Sequence, residues 1–265
     1  MASVPPPSAL PLFYANLEPL SSQSHSDFRL RRLEVAPFAA RQHAIPVTVD
    51  EFVLVQRRMP IIFSVGDDPV PLALTSLNEG TSTFFDDDGR FLEQDAYVPA
   101  YIRRYPFMLA RLRPDAEELS LCFDPTTDAV GRFDEGDPLF ENGQPTQLVQ
   151  DILSFNEQFE QAGQRTQQFM RELKEMDLLM EGDVSIQPEG QQPFIYRGFQ
   201  MVNEQKLADL RGDQLRKMMK SGMLPLIFAH LYSMSLMRDI FGRQQRQDKL
   251  PAALPQGASP APANS

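Results

Sequence analysis

Residues 97–107, YVPAYIRRYPF, hold three tyrosines and an arginine pair within eleven positions. A tyrosine offers an aromatic face and a hydroxyl group, and an arginine offers a planar cation that can hold a carboxylate or phosphate through two hydrogen bonds. The chain as a whole is acidic, with 36 Asp and Glu against 25 Lys and Arg and a formal charge of −11. A pair of neighbouring cations in such a chain makes this segment the first candidate binding site.

Helix signals surround the arginine pair. Asp95 is a suitable N-cap, and Pro99 fits the first turn of a helix. Pro106 cannot continue a helix, so residues 97–104 are predicted to form two helical turns. The candidate site is therefore expected on a short helix.

The side chains of this helix are expected to diverge. Tyr97 and Tyr101 lie four residues apart and so share a face. Arg103 and Arg104 point about 100° apart, so at most one of them faces the core. Two interpretations stay open. Either the guanidinium groups hold an acidic or carboxylate group of a partner, with stacking and hydroxyl contacts from Tyr97, Tyr101 and Tyr105, or they bind acids of the same chain.

Signatures of catalysis and cofactor binding are weaker. The sequence contains no G-x-S-x-G, GxxxxGK[ST], GxGxxG or CxxC motif, and no cofactor is predicted. His25-Ser26-Asp27 has the H-x-D spacing that begins a two-histidine, one-carboxylate iron site, and His230 could supply a distal ligand. An iron-dependent modifying enzyme of the 2-oxoglutarate type is therefore the alternative to a binding protein.

Composition argues against several other classes of protein. A formal charge of −11 repels nucleic acid and anionic lipid. The single cysteine, Cys122, cannot form an internal disulfide, as is usual in a reducing cytosol. The first thirty residues lack the basic start and unbroken apolar core of a secretory signal, so a cytoplasmic location is expected. Residues 221–237 are apolar but shorter than the usual span of about 20 residues, so no membrane insertion is expected.

The first half of the chain alternates apolar runs with turn residues. Asp88-Gly89 and Asn142-Gly143 are typical of tight hairpin turns. Short apolar runs bounded by Gly, Asp, Pro and Asn predict strands. They are PIIFSV (60–65), VPLALTSL (70–77), TSTFF (81–85), FMLAR (107–111) and LSLCF (119–123).

The second half changes to a helical period. An apolar seam at steps of three and four residues over 148–180 predicts one long amphipathic helix, or two that meet at Gly163. We expect the seam to pack on the chain's own sheet, with a dimer contact as the alternative. A strand pair is predicted at 184–186 and 194–202, and the apolar stretch 223–241 predicts a buried central helix.

These patterns predict an α+β fold, with antiparallel strands and hairpins in the N-terminal half packed against a helical C-terminal half. Both ends are rich in proline, alanine and serine. Residues 1–27 are predicted to be a flexible arm and residues 244–265 a disordered tail. Residues 28–243 then form a single domain.

Seven motifs occur in an order that resembles the bacterial SapC family. They are H-x-x-P-V (43–47), E-F (51–52), P-I-I-F (60–63), F-x-D-x-D-G (84–89), Y-V-P-A-Y-I-R-R-Y-P-F (97–107), P-L-F-x-x-G-x-P-T (138–146) and G-F-Q-M-V-N-E (198–204). The resemblance covers about residues 43–241, and the 97–107 segment is its most specific part. The chain departs from the pattern at Phe91, where the family prefers Trp.

The resemblance implies an accessory role. The family is named after a surface-layer-associated protein, and its relatives accompany TonB-dependent receptors, tryptophan-halogenase-like proteins and cupin-like proteins. It provides no agreed catalytic residues. We therefore expect a non-catalytic adaptor that binds a peptide or protein partner, in support of peptide or protein modification or TonB-linked uptake. A surface-layer-associated protein is the remaining alternative.

Overall fold

A computed structural model of the protein describes residues 10–93, 95–112, 118–188 and 193–250. Residues 1–9 of the predicted arm and 251–265 of the predicted tail lie outside the described residues.

The strands are β1 (Glu18–Pro19), β2 (Arg29–Leu30), β3 (Ala44–Pro46), β4 (Ile61–Phe63), β5 (Pro71–Leu74), β6 (Phe107–Ala110), β7 (Ser120–Phe123), β8 (Val130–Gly131), β9 (Asp137–Pro138), β10 (Phe140–Glu141), β11 (Gln144–Pro145), β12 (Leu179–Glu181), β13 (Val184–Ile186), β14 (Phe194–Tyr196) and β15 (Gln200–Val202). The helices are α1 (Phe52–Val55), α2 (Ala100–Arg103), α3 (Gln147–Glu175), α4 (Glu204–Ala208), α5 (Gly212–Ser221), α6 (Met223–Ser233) and α7 (Met237–Arg246), with 3-10 turns at Val49–Glu51 and Met234–Leu236.

The strands pair antiparallel, and the helices concentrate toward the C-terminus, so the predicted α+β fold is confirmed. The largest sheet has five strands in the order β12-β15-β4-β5-β3. Strand β15, from the second half of the chain, pairs with β4 through Gln200 and Phe63. This pairing joins the two halves of the sequence in one sheet.

Strand β4 is buried on both faces. Ile61 and Phe63 pack into the main core, while Ile62 between them packs into a second cluster on the opposite face. Because alternate residues of a strand point to opposite faces, a strand covered on both sides must be apolar throughout. This explains the unbroken PIIF run.

Helix α3 is continuous through Gly163 and has 29 residues. Its seam residues Phe169 and Leu173 are buried in the chain's own core, and Phe159 packs against it. The prediction that the helix extends to residue 180 is wrong, because Asp177 adopts a left-handed backbone with φ +54° and the chain then turns into β12. The seam thus packs within one chain, and an additional dimer contact stays a prediction.

The predicted helix 223–241 is divided into α6 and α7 by a 3-10 turn. At the division the Ser233 hydroxyl donates to the carbonyl of His230 and accepts from the amide of Ile61. The helix is also less buried than its composition suggested. Phe228 and Tyr232 are exposed on the face opposite the core, at 38% and 68%.

The predicted strand 81–85 is not formed beyond a single bridge between Phe85 and Phe91. Instead, the Thr83 amide and hydroxyl both donate to the carbonyl of Thr75, which buries this segment against the sheet. The turn that follows is confirmed, since Gly89 has φ +85°. Gly89 also accepts a hydrogen bond from the Ala36 amide at 2.7 Å, which links the turn to the preceding chain segment.

Residues 10–27 run along the hairpin of β6 and β7. Strand β1 pairs with β7, the Tyr14 hydroxyl donates to the carbonyl of Phe107 at 2.7 Å, and the Ala15 amide donates to Asp124 at 2.7 Å. The division of the chain into an arm, one domain and a tail stays a prediction.

Candidate functional site

The helix that carries the arginine pair is shorter than predicted. Helix α2 begins after Pro99, so Asp95 is not its cap, and Tyr97 lies before the helix. The first helical amide, that of Ala100, donates at 2.6 Å to the carboxylate of Glu51. A carboxylate from a distant part of the chain therefore serves as the cap, because acceptors and negative charge at a helix start satisfy its free amides.

Glu51 is 4% exposed and joins two segments. One of its oxygens accepts from the amide and the hydroxyl of Thr48, each at 2.9 Å. The other accepts from the Ala100 amide and from the Tyr97 hydroxyl at 3.1 Å. Burial, with the nearby Glu51 charge, raises the pKa of Tyr97 to about 12. Glu51 thus positions the segment on which the candidate site lies.

The three tyrosines have different surroundings. Tyr101 is buried, and its hydroxyl donates to the carbonyl of Leu12 at 3.1 Å. Tyr97 is half-buried and holds Arg103, whose guanidinium donates to the Tyr97 hydroxyl at 2.8 Å. Tyr105 is half-buried, and its ring lies 4.2 Å from that of Phe38.

Arg104 faces the interior. It is 6% exposed, and its guanidinium carbon lies 4.4 Å from the centre of the Tyr101 ring and 4.3 Å from that of Phe159. Its Nη1 is 3.6 Å from a carboxylate oxygen of Glu160. Aromatic faces attract a desolvated cation, and Glu160 supplies the opposite charge. Arg104 therefore ties α2 to α3.

Arg103 faces outward. Its side chain is exposed and donates to the carbonyl of Val98 at 3.1 Å as well as to Tyr97. Its guanidinium carbon lies 5.1 Å from the centre of the Phe155 ring. Within the described part of the chain, no carboxylate lies within 4.0 Å of this cation. Arg103 is thus oriented by neutral groups, and no carboxylate of the described residues pairs with its charge.

A cavity of about 580 Å³, here named the Arg103 pocket, opens beside this side chain. Its walls are formed by residues 30–38, by the turn 85–91, by residues 98–107 and by residues 151–156 of α3. Most of the lining residues are apolar, including Phe38, Phe91 and Phe155. Ligand pockets typically measure about 300–1,000 Å³ and combine apolar walls with a few polar groups, so size and lining both fit a binding site.

Charged residues line the same pocket with an excess of cations. Four arginines and two acids line it, for a net formal charge of +2, or +1 when Glu160, the partner of Arg104, is included, in a chain whose total is −11. These residues are Arg31, Arg32, Arg103, Arg104, Glu34 and Asp151. The pocket is therefore a local cationic site on an acidic protein, which favours an anionic ligand.

Buried polar atoms without hydrogen-bond partners also concentrate here. Six such atoms occur in the described part of the chain, and three belong to residues that line the pocket: Arg31 Nε, Arg104 Nε and Asn156 Oδ1. Asn156 is 1% exposed, and its amide nitrogen donates to the carbonyl of Ile152 at 2.9 Å. Unsatisfied buried polar atoms are rare in folded proteins, so their concentration sets this region apart.

Of the five predicted site residues, the pocket lining includes Arg103, Arg104 and Tyr105. Tyr97 and Tyr101 support these residues from outside the lining. The sequence indicated Glu51 only as part of the E-F motif, without a role in the site, and no motif was found in the segment 31–36. Phe155 falls within the apolar seam predicted over 148–180, and the sequence indicated no binding role for it.

The histidines proposed for an iron site lie in separate environments. His230 is fully buried, accepts from the Val202 amide at 3.1 Å through Nε2 and bonds the Ile61 carbonyl at 2.7 Å through Nδ1. His25 bonds Glu18 and the Ser21 amide through its two ring nitrogens. Asp27 is ion-paired with Arg132.

No group of three or more His, Cys, Asp or Glu side chains in the described ranges is arranged to hold a metal ion. The predicted set of His25, Asp27 and His230 is therefore not assembled. None of the helices in those ranges is both long enough and apolar enough to cross a membrane.

Comparison with known proteins adds one finding. Residues 20–240 match the model of a protein family described as SapC. The match includes α2, the helix α3 and every segment that forms the walls of the Arg103 pocket. No curated protein and no solved structure shows significant similarity to the chain.

Proposed function

Because the chain belongs to the SapC family, we propose that it is a non-catalytic accessory protein that binds a peptide or protein partner in the Arg103 pocket. One observation carries the proposal: Arg103 is an exposed cation at the edge of an apolar cavity, and it has no carboxylate partner among the described residues. A free arginine beside apolar walls suits a ligand that presents an acidic group next to an apolar side chain.

The residues around the pocket have distinct parts in this proposal. Arg103 holds the acidic or carboxylate group of the partner, and Tyr97 keeps the guanidinium in place through its hydroxyl. Tyr105 supplies an aromatic face and a hydroxyl at the pocket wall. Arg104 and Tyr101 form the support beneath, since both are buried and Arg104 is paired with Glu160. Binding therefore depends directly on Arg103 and Tyr105, and indirectly on Tyr97, Tyr101 and Arg104.

The proposed setting is the cytoplasm, where the protein supports modification of a peptide or protein, or uptake through a TonB-linked system. The reducing compartment suits the single cysteine, Cys122, which is buried in β7 and has no disulfide partner.

Affinity capture from native lysate tests the proposal. Wild-type protein, Arg103→Ala and Arg216→Ala are immobilised at equal density, and the retained proteins and peptides are quantified by mass spectrometry. Arg216 is an exposed arginine on α5 outside the pocket lining and serves as the matched control. We expect Arg103→Ala to lose a partner that both wild type and Arg216→Ala retain, with an unchanged melting temperature.

A photo-crosslinking amino acid locates the partner. Leu33 is 40% exposed and lines the pocket, while Met219 is 60% exposed and does not. Incorporation at position 33 should crosslink the captured partner, and incorporation at position 219 should not. Equal retention by wild type and Arg103→Ala, or crosslinking from position 219 alone, would show that the pocket is not the binding site.

A further inference from the structure

The Arg103 pocket has a second exposed cation, contributed by a separate segment of the chain. Arg32 lies in the segment that follows β2, is exposed, and lines the same cavity as Arg103. In the described ranges, neither side chain is within 4.0 Å of a carboxylate oxygen. The cavity is thus bordered by two arginines, on different segments, that are available to a ligand.

The acids of the pocket leave these cations uncompensated. Asp151 accepts a hydrogen bond from Gln147 on the same helix, and Glu34 is exposed. Arg31, the neighbour of Arg32, stacks at 3.6 Å on the ring of Phe133. Arginine clusters of this kind recognise acidic segments, since each guanidinium can hold one carboxylate. A ligand with two acidic groups therefore fits better than a ligand with one.

The walls between the arginines require an apolar group on the same ligand. Phe38, Phe91 and Phe155 line the cavity, and the Phe155 ring already lies under Arg103. Apolar surface of this kind is favourable to bury, at about 25 cal/mol per Å². A purely polar anion would leave it in contact with water.

Resting on the proposed function, we propose that the partner is an extended peptide segment with the pattern acid-x-apolar-x-acid. In an extended chain, residues i−2, i and i+2 point to the same face, and the outer pair lies about 13 Å apart. The central apolar side chain enters the Arg103 pocket. The two flanking carboxylates then meet Arg32 and Arg103, one on each.

Synthetic peptides test this pattern with a direct readout. The probe is acetyl-Gly-Glu-Gly-Trp-Gly-Glu-Gly-amide, and because the protein contains no tryptophan, the fluorescence of the probe reports burial of its ring. Three matched peptides serve as controls. In the first, both Glu are replaced by Gln, and in the second, Trp is replaced by Gly and binding is measured by competition with the probe. In the third, both Glu lie directly next to Trp. The peptide with Gln in place of both Glu loses two charge-assisted contacts, and each loss should weaken binding by about tenfold or more. The peptide with adjacent acids should be weakened as well, because its carboxylates point away from the pocket.

Charge reversal on the protein provides the complementary experiment. The affinity for the Glu-containing probe should fall by about tenfold or more in Arg32→Glu and in Arg103→Glu, and it should not change in Arg216→Glu. The double variant Arg32→Glu with Arg103→Glu should bind a peptide in which both Glu are replaced by Lys. Melting temperatures of all variants check that the fold is retained, as the exposure of both arginines leads us to expect.

The outcomes separate this inference from the proposed function. If the lysate partner depends on Arg103 but the Glu probe binds no better than its Gln counterpart, the acidic pattern is wrong and the binding function stands. If Arg32→Glu leaves the affinity of the probe unchanged, the second arginine has no part in recognition. If no partner depends on Arg103, both the function and the pattern are wrong.

Discussion

The Nη1 of Arg104 lies 3.6 Å from an oxygen of Glu160, and this contact joins the candidate-site helix to α3. The Arg104 guanidinium is enclosed by aromatic rings, whereas the Glu160 side chain is 39% exposed. The immediate neighbour, Arg103, forms no such pair within the described ranges. One arginine of the pair therefore maintains the structure, and the other remains available to a ligand.

Replacement of Arg104 should reduce stability. Arg104→Ala removes the cation and its aromatic packing, and we expect a loss of about 2–4 kcal/mol in the free energy of unfolding. Arg104→Met keeps an unbranched side chain between the rings and should lose about half as much. Glu160→Gln should cost at most about 1 kcal/mol, because water screens the exposed carboxylate. Urea unfolding measures all three values.

Arg103→Ala is the matched control, since its exposed side chain should change stability by at most about 0.5 kcal/mol. If Arg104→Ala were as stable as wild type, the contacts of Arg104 with the aromatic rings and with Glu160 would not hold α2 in place. Arg104 would then be the more plausible ligand-binding cation.

Glu51 should be essential for the position of the site. Glu51→Gln leaves a single acceptor oxygen where four donors converge, and it places a buried amide group against the Ala100 amide or against Thr48. Leaving such donors unsatisfied should lower the free energy of unfolding by about 2–4 kcal/mol. The same unfolding experiment measures it.

Glu175→Gln, on the exposed end of α3, is the control and should stay within about 0.5 kcal/mol of wild type. The pKa of the Tyr97 hydroxyl provides a second readout. Because Tyr97 loses its contact with a carboxylate, the pKa of its hydroxyl should fall from about 12 in Glu51→Gln, as measured by ultraviolet titration. A variant with wild-type stability and an unchanged Tyr97 pKa would show that Glu51 is not the cap of α2.

Much of the fold could be predicted from the sequence, because strands and tight turns are determined by residues that are close together in the chain. Strands β4 and β5 follow from apolar runs bounded by turn residues, and the turn at Asn142-Gly143 follows from the left-handed conformations that both residues adopt. The start of α3 follows from its seam. These features depend on residues only a few positions apart.

The site could be predicted only in part, because its geometry depends on distant residues. The direction of Arg104 is determined by Phe159 and Glu160, which no periodicity around residue 104 reveals. The capping of α2 by Glu51 replaces the nearer candidate Asp95 for the same reason. The 31–36 segment enters the pocket through the sheet pairing of β2 and through its bond to Gly89, and neither can be inferred from its own sequence.

His230 should make stability depend on pH. The Val202 amide donates to its Nε2, so the buried ring is neutral, and burial lowers the pKa of His230 from 6.5 to about 4. Between these values the unfolded chain binds a proton that the folded chain does not, so stability decreases as the pH falls from 6.5 to about 4. The full effect of this pKa difference on the free energy of unfolding is about 3 kcal/mol.

The variant His230→Gln isolates this contribution, because its amide can accept from Val202 and donate to Ile61 without titrating. Carboxylates also titrate in this range, and burial lowers the pKa of His43 as well. The informative quantity is therefore the difference between wild type and His230→Gln as a function of pH, measured by urea unfolding. Parallel profiles from pH 7 to 4 would mean that His230 is not the buried neutral group described above.

Gly89 connects the stability of the fold to the shape of the pocket. A Cβ at this position would lie 2.3 Å from the backbone nitrogen of Pro37 and 2.4 Å from the carbonyl carbon of Ala36, and the backbone has φ +85°. Since both neighbours are main-chain atoms, Gly89→Ala must displace the 36–38 segment. We expect a loss of about 3 kcal/mol or more in the free energy of unfolding, from the unfavourable left-handed backbone and the added steric overlap.

Gly80→Ala distinguishes these two causes. Gly80 has a similar φ of +75°, but no atom lies within 4 Å of the position of its Cβ. It should therefore show the backbone cost alone, about 1–2 kcal/mol. Because residues 36 and 38 and Gly89 line the Arg103 pocket, Gly89→Ala should also weaken capture of the partner at temperatures where the variant is still folded, whereas Gly80→Ala should not. Equal stability losses in the two variants, with unchanged capture, would show that the close approach of Gly89 to the 36–38 segment does not shape the pocket.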